Sequence, residues 1–90
     1  MIFLNNKVLI QLFVPEIDET FDLFIPVNEL LWKIKKLVVK SVYDLTNGEI
    51  DPTKEYILIN KITGEIYKDN VIIRDTNIRN ATEIVLLLSK

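Results

Sequence analysis

The chain has 90 residues, 49% of them hydrophobic and 27% charged, with a net charge of −2. This composition excludes a disordered polymer, and the near-balanced charge excludes a whole-protein electrostatic footprint for nucleic acid. A chain this short makes one domain, 1–90, and buries about 60–65% of the surface its unfolded form exposes. Cysteine is absent, whereas small secreted domains usually supplement a thin core with disulfides, so a cytoplasmic location is expected. Ile2, Phe3 and Leu4 are followed at once by Asn5 and Asn6. That is too short for a signal-peptide core, and no run reaches membrane-spanning length, so no direct membrane insertion is expected. Asn80-Ala81-Thr82 fits a glycosylation sequon and is read as a chance match without a secretory signal.

Residues 7–14 alternate: Val8, Ile10, Leu12 and Val14 fall on one side, Lys7, Leu9, Gln11 and Phe13 on the other. Period two predicts a strand with one apolar face. Pro15 and the acidic Glu16, Asp18 and Glu19 break it. A second alternating run over 20–25, with Phe21, Leu23 and Ile25 on one side, completes a predicted β-hairpin. Pro26 ends that strand.

The spacing of Leu30, Leu31, Ile34, Leu37, Val38, Val42 and Leu45 predicts an amphipathic helix over 28–45. Asn28 is the expected N-cap, Glu29 lies in the expected first turn, and Val27 and Trp32 stand at the positions of a hydrophobic staple. Asn47-Gly48 offers the left-handed conformation that closes such a helix. Beyond Asp51-Pro52 come a strand at 55–59, a turn around Ile62-Thr63-Gly64 and a short strand at 65–67. Residues 68–82 are polar with isolated apolar anchors, consistent with a loop and a 3₁₀ turn. The run 83–88 is nearly all apolar, as in a strand buried at the centre of a sheet.

This order, ββαββ(loop)β, is that of the α+β β-grasp fold: a mixed four- to five-stranded sheet packed on one helix. The segment Ile73 to Asn80, followed by Thr82 to Leu87, resembles the closing part of ubiquitin-like domains, with Asn80 expected at a positive φ. Thr20-Phe21-Asp22-Leu23-Phe24-Ile25-Pro26 looks like the T-[YF]-D-L-x-[VI]-P run of the YukD/EsaB family, and Asn60-Lys61 is also similar. Those are small bacterial ubiquitin-like proteins associated with type VII (WXG100) secretion systems. The resemblance implies a cytoplasmic accessory or regulatory component that binds another protein of such a machinery. The sequence ends Leu86-Leu87-Leu88-Ser89-Lys90 without Gly-Gly. Conjugation and sulfur transfer both need that diglycine, so a non-conjugating role is expected, as in the YukD-like family.

The sequence has no His and no Cys, and its serines are Ser41 and Ser89. No nucleophile–base pair or N/S metal site can be assembled from these, so no enzyme activity, cofactor or small-molecule substrate is expected. The carboxylates of the 16–19 turn, with Asp69 and Asp75, read as solvated loop residues rather than a cation site. Lys33, Lys36 and Lys40 form a basic stripe on the helix. An ordinary solvated face is the simpler reading, and nucleic acid is disfavoured because no exposed aromatics or Arg are expected among them.

The most informative pattern lies on the sheet. If the apolar faces of the strands meet the helix, then Leu9, Phe13, Phe24, Ile57, Ile59, Val85 and Leu87 point the other way. A one-sided antiparallel sheet would place polar residues there, and so many large apolar groups exceed what a monomer normally exposes. The resemblance implies that this is a recognition surface. Four readings fit the pattern: a protein partner, a second copy of the chain or the N-terminal Ile2, Phe3 and Leu4 covers the face, or some of these side chains complete the core.

Overall fold

The computed structural model describes residues 6–89, so the alternative that Ile2, Phe3 and Leu4 cover the sheet lies outside the described residues. The two alternating runs form a hairpin, β1 (Lys7–Val14) and β2 (Glu19–Pro26), paired antiparallel from Lys7↔Pro26 to Val14↔Glu19. The helix α1 (Leu31–Leu45) follows, then β3 (Tyr56–Asn60), a 3₁₀ turn (Ile73–Asp75) and β4 (Glu83–Leu88). The sheet order is β2-β1-β4-β3. β4 runs parallel to β1 and antiparallel to β3, so the nearly all-apolar last strand is central and flanked on both sides.

Alternation decides which side chains meet the helix. On β1 the residues Ile10, Leu12 and Val14 are fully buried, as is Ile84 on β4. They pack with Leu31, Ile34, Val38 and Val42, the i, i+3, i+7, i+11 stripe of α1. Each large aliphatic side chain buried in this way contributes about 1.5–3 kcal/mol, which is how so short a chain holds its fold.

The helix begins three residues later than its periodicity suggested, at Leu31 rather than residue 28. Leu30 is the N-cap, without a side-chain cap. The cause is tertiary. Residues 27–31 lie beside 69–74: Arg74 N–H donates to Val27 O (2.9 Å), Ile73 N–H to Glu29 O (3.1 Å) and Leu31 N–H to Val71 O (2.8 Å). Trp32 N–H donates to Asp69 O (3.2 Å). Backbone carbonyls of the long loop thus satisfy amides that the first helical turn leaves unpaired. Asn28 is not the cap; its Oδ1 accepts from the Arg74 guanidinium at 2.9 Å. With Leu30 as N-cap, Glu29 falls outside the first turn, and Val27 and Trp32 no longer occupy staple positions. At the other end, Asn47 takes φ +55° and Gly48 N–H donates to Tyr43 O at 2.8 Å, the six-to-one bond of a Schellman closure.

Two further expectations change. No strand forms at 65–67; a single bridge joins Ile66 to Ile59. Asn60 N–H donates to Glu65 O and Tyr67 N–H to Leu58 O, after which the chain leaves the sheet edge to reach the start of α1. The positive φ before β4 belongs to Ala81 (+70°), not Asn80. Asn80 instead accepts from Leu9 N–H at 2.9 Å, tying the turn to β1.

Candidate interaction surface

The register places Leu9, Phe13, Phe24, Ile57, Ile59, Val85 and Leu87 on the sheet face opposite the helix, in step with the polar positions of the same strands. They do not make one patch. Phe13 pairs with Val85, Val85 with Ile59, and Leu87 with Ile57, so these five are contiguous across β1, β4 and β3. Leu9 and Phe24 pair with each other at the far end of the hairpin. Between the two groups runs a polar row: Asp22 opposite Gln11, Gln11 opposite Glu83, and Lys61 beside Glu83. The Lys61 Nζ–Glu83 Oε1 distance is 3.6 Å, and the same ammonium lies 5.4 Å from the centre of the Phe13 ring.

The face is also less open than seven outward apolar residues would imply. Phe24 is 65% exposed and Leu87 38%, while the other five are half-buried. Cross-strand neighbours shield one another on a pleated surface. What remains is a moderate apolar surface around Leu87, Ile57, Ile59, Val85 and Phe13, bordered by a charged row, and a separate Phe24 protrusion on the edge strand.

The predicted basic stripe is real as a geometry but is largely paired. Lys33 Nζ lies 3.7 Å from Glu29 and Lys40 Nζ 3.0 Å from Asp44, and Lys36 has no ion pair among the described residues. Exposed aromatics do accompany it. Trp32 and Tyr43 are 39% and 41% exposed, and the ammonium groups of Lys33 and Lys36 sit 5.6 and 5.4 Å from the Trp32 ring centre. Trp32 stands four residues before Lys36 and Tyr43 seven after it, so helical spacing alone sets both aromatics beside the stripe.

Sequence reasoning missed a polar network under the 60–67 turn. Asn60 is 7% and Tyr67 5% exposed. Asn60 Oδ1 accepts from the amides of Ile62 (2.9 Å) and Thr63 (3.0 Å), and its Nδ2 donates to the Tyr67 hydroxyl. Burial pushes the Tyr67 phenol above its ordinary pKa; the Asn60 contact works against this and the Glu65 charge with it. These groups hold a turn and are far from a nucleophile–base arrangement. Among the described residues no His, Cys, Asp and Glu cluster could hold a metal ion, and no helix is long and apolar enough to cross a membrane.

No protein-family model and no curated protein matches the chain. Solved structures do. The EccD5 ubiquitin-like domain from Mycobacterium xenopi superposes with a TM-score of 0.74 at 10% identity, covering 93% of this chain and 96% of that one. The ubiquitin-like domain of Plasmodium falciparum Dsk2 gives 0.70 at 17% identity, covering 92% and 99%. The fold is ubiquitin-like. A chain of the MycP5-free ESX-5 inner membrane complex gives 0.76 at 9% identity, with 92% of this chain matched to 21% of that one. The ubiquitin-like β-grasp assigned by strand order and helix placement is therefore shared over almost the whole length, at identities that speak to architecture alone.

Proposed function

We propose that this ubiquitin-like domain is a protein-interaction module and not an enzyme, acting in the cytoplasm as an accessory or regulatory component of a type VII secretion system. The observation that carries the interaction role is the contiguous apolar surface of Phe13, Val85, Ile59, Ile57 and Leu87 on the sheet face away from the helix. Aliphatic and aromatic groups bordered by charge resemble the centre and rim of a protein interface. The secretion link is supported by the Thr20–Pro26 run and by the likeness to EccD5 and to a chain of the ESX-5 membrane complex. Leu9 and Phe24 form a second, smaller contact on the hairpin end.

The test is a binding assay between the purified chain and the cytoplasmic domains of the type VII components encoded in the same genome. Binding to one of them that is lost in both Ile57→Asp and Leu87→Asp supports the reading. Binding that neither substitution alters removes the sheet face from it, and a genome without such components removes the secretion role. Self-association through the same face is the competing outcome; sedimentation showing a dimer that both substitutions dissociate would establish it.

A further inference from the structure

The helix carries a second stripe that meets the core only at Val39. Trp32, Lys36, Val39 and Tyr43 recur at i, i+4, i+7 and i+11 and therefore share one face of α1. That face forms one wall of an open groove of about 730 Å³, and residues 52–56 form the other. Val39 and Tyr56 are nearly fully buried (7% and 3% exposed), whereas Trp32 and Tyr43 stand out on either side. An apolar floor beside an exposed aromatic ring is a place for one large apolar side chain.

The charges along the groove define what such a side chain would be attached to. Lys35 and Lys40 are held by Asp69 (2.8 Å) and Asp44 (3.0 Å). Lys36 and Lys54 also line the groove and make no ion pair among the described residues. One ammonium thus stands on each wall without a carboxylate partner. We infer that this groove binds a short acidic peptide segment, its apolar side chain seated on Val39 beside Tyr43 and its carboxylates directed to Lys36 and Lys54.

A nucleic-acid strand fits less well. Asp44, Glu55 and Asp69 line the same groove and would oppose a backbone that carries a charge at every nucleotide. The Trp32 ring, which a base would need for stacking, is already approached by two ammonium groups. A peptide can instead place its acids only where the free lysines are. This site lies on the helix and is independent of the sheet-face reading above.

Trp32 is the sole tryptophan, so binding reads out directly in its fluorescence. The probe is a capped Glu-Gly-Ser-Phe-Ser-Glu peptide, with one acid for each free lysine. Its controls are the same peptide with Ser in place of Phe, one with Lys in place of every acid, and a short oligothymidylate. The expected result is saturable binding of the Phe peptide that weakens with salt. The Ser peptide and the Lys36→Glu/Lys54→Glu variant are each expected to bind about tenfold more weakly, while Ile57→Asp leaves affinity unchanged. Amide chemical-shift changes should fall on residues 32–43 and 52–56. Absence of saturable binding overturns the inference, as do equal affinity in the double variant, shifts confined to the sheet face, or tighter binding of the oligothymidylate.

Discussion

The Tyr67 hydroxyl lies 2.9 Å from Asn60 Nδ2 and 2.7 Å from Asn77 Oδ1, accepting from the first and donating to the second. Asn60 is thereby used at both ends, since its Oδ1 also closes the turn through Ile62 and Thr63. An alanine at this position leaves two turn amides and a buried phenol short of partners. Asn60→Ala is expected to destabilise the fold by about 2–3 kcal/mol and Tyr67→Phe by about 1 kcal/mol, measured by urea unfolding. A double-mutant cycle should give non-additive values, because the two side chains share one contact; strict additivity would show that the turn and the phenol are independent.

Tyr67 also fixes an alkaline limit. Burial raises its pKa above 10.0, and Tyr56 is raised in the same direction by burial, then by the charge of Glu16 and its hydrogen bond. Below the unfolded value both states are protonated and the contribution to stability is complete. Above it the unfolded chain releases its protons first, so stability falls as pH rises through the folded values. Unfolding free energy should therefore be flat from neutral pH to about 10 and then decline. In Tyr67→Phe the decline should be shallower; an unchanged slope would assign the whole effect to other groups.

The elements legible in the sequence are those whose information is local. Period two in 7–14 and 20–25 and the helical stripe through Ile34, Val38 and Val42 reflect which side of an element is buried, and burial leaves its mark at fixed spacing. The helix start was not legible because Asn28 carries an N-cap's chemistry while the amides of Leu31 and Trp32 are satisfied by carbonyls of the distant Val71 and Asp69. The absent strand at 65–67 has the same origin, since residues 69–71 are recruited to α1. On the candidate surface, alternation assigned the outward residues, but whether they adjoin depends on register. Gln11, Asp22 and Glu83 come into one row only when β1, β2 and β4 pair.

Ala81 occupies the left-handed region at φ +70°, where a side chain carries a steric penalty that glycine lacks. Its amide donates to Leu9 O at 2.7 Å, so the conformation is fixed by the turn into β4. Ala81→Gly removes the penalty at the expense of a freer unfolded chain, and a net gain of about 0.5–1 kcal/mol is expected. A loss of stability in thermal unfolding would mean that the methyl group packs usefully in the turn.

Asn28 gives a sharper contrast between local and tertiary control. Loss of a true N-cap destabilises a protein by about 1 kcal/mol. Here Asn28 binds only the exposed Arg74 guanidinium, so Asn28→Ala should change stability by less than about 0.5 kcal/mol. Urea unfolding of this variant distinguishes the two; the larger figure would return Asn28 to the helix terminus.

The division of the sheet face predicts unequal consequences for its aromatic residues. Phe24 is 65% exposed on the edge strand, so Phe24→Ala forfeits little burial and should alter stability by less than about 0.5 kcal/mol. It also lies across the Asp22–Gln11–Glu83–Lys61 row from the main apolar surface. If a partner seats on Phe13, Val85, Ile59 and Leu87, Phe24→Ala should weaken it by less than about 1 kcal/mol, as peripheral contacts do. Ile59→Asp sets a carboxylate opposite Val85, in the middle of that surface, and should weaken the partner by more than about 2 kcal/mol. Titration calorimetry with both variants decides the matter: comparable losses would mean that the partner spans the polar row, with Lys61 and Glu83 inside the interface rather than at its border.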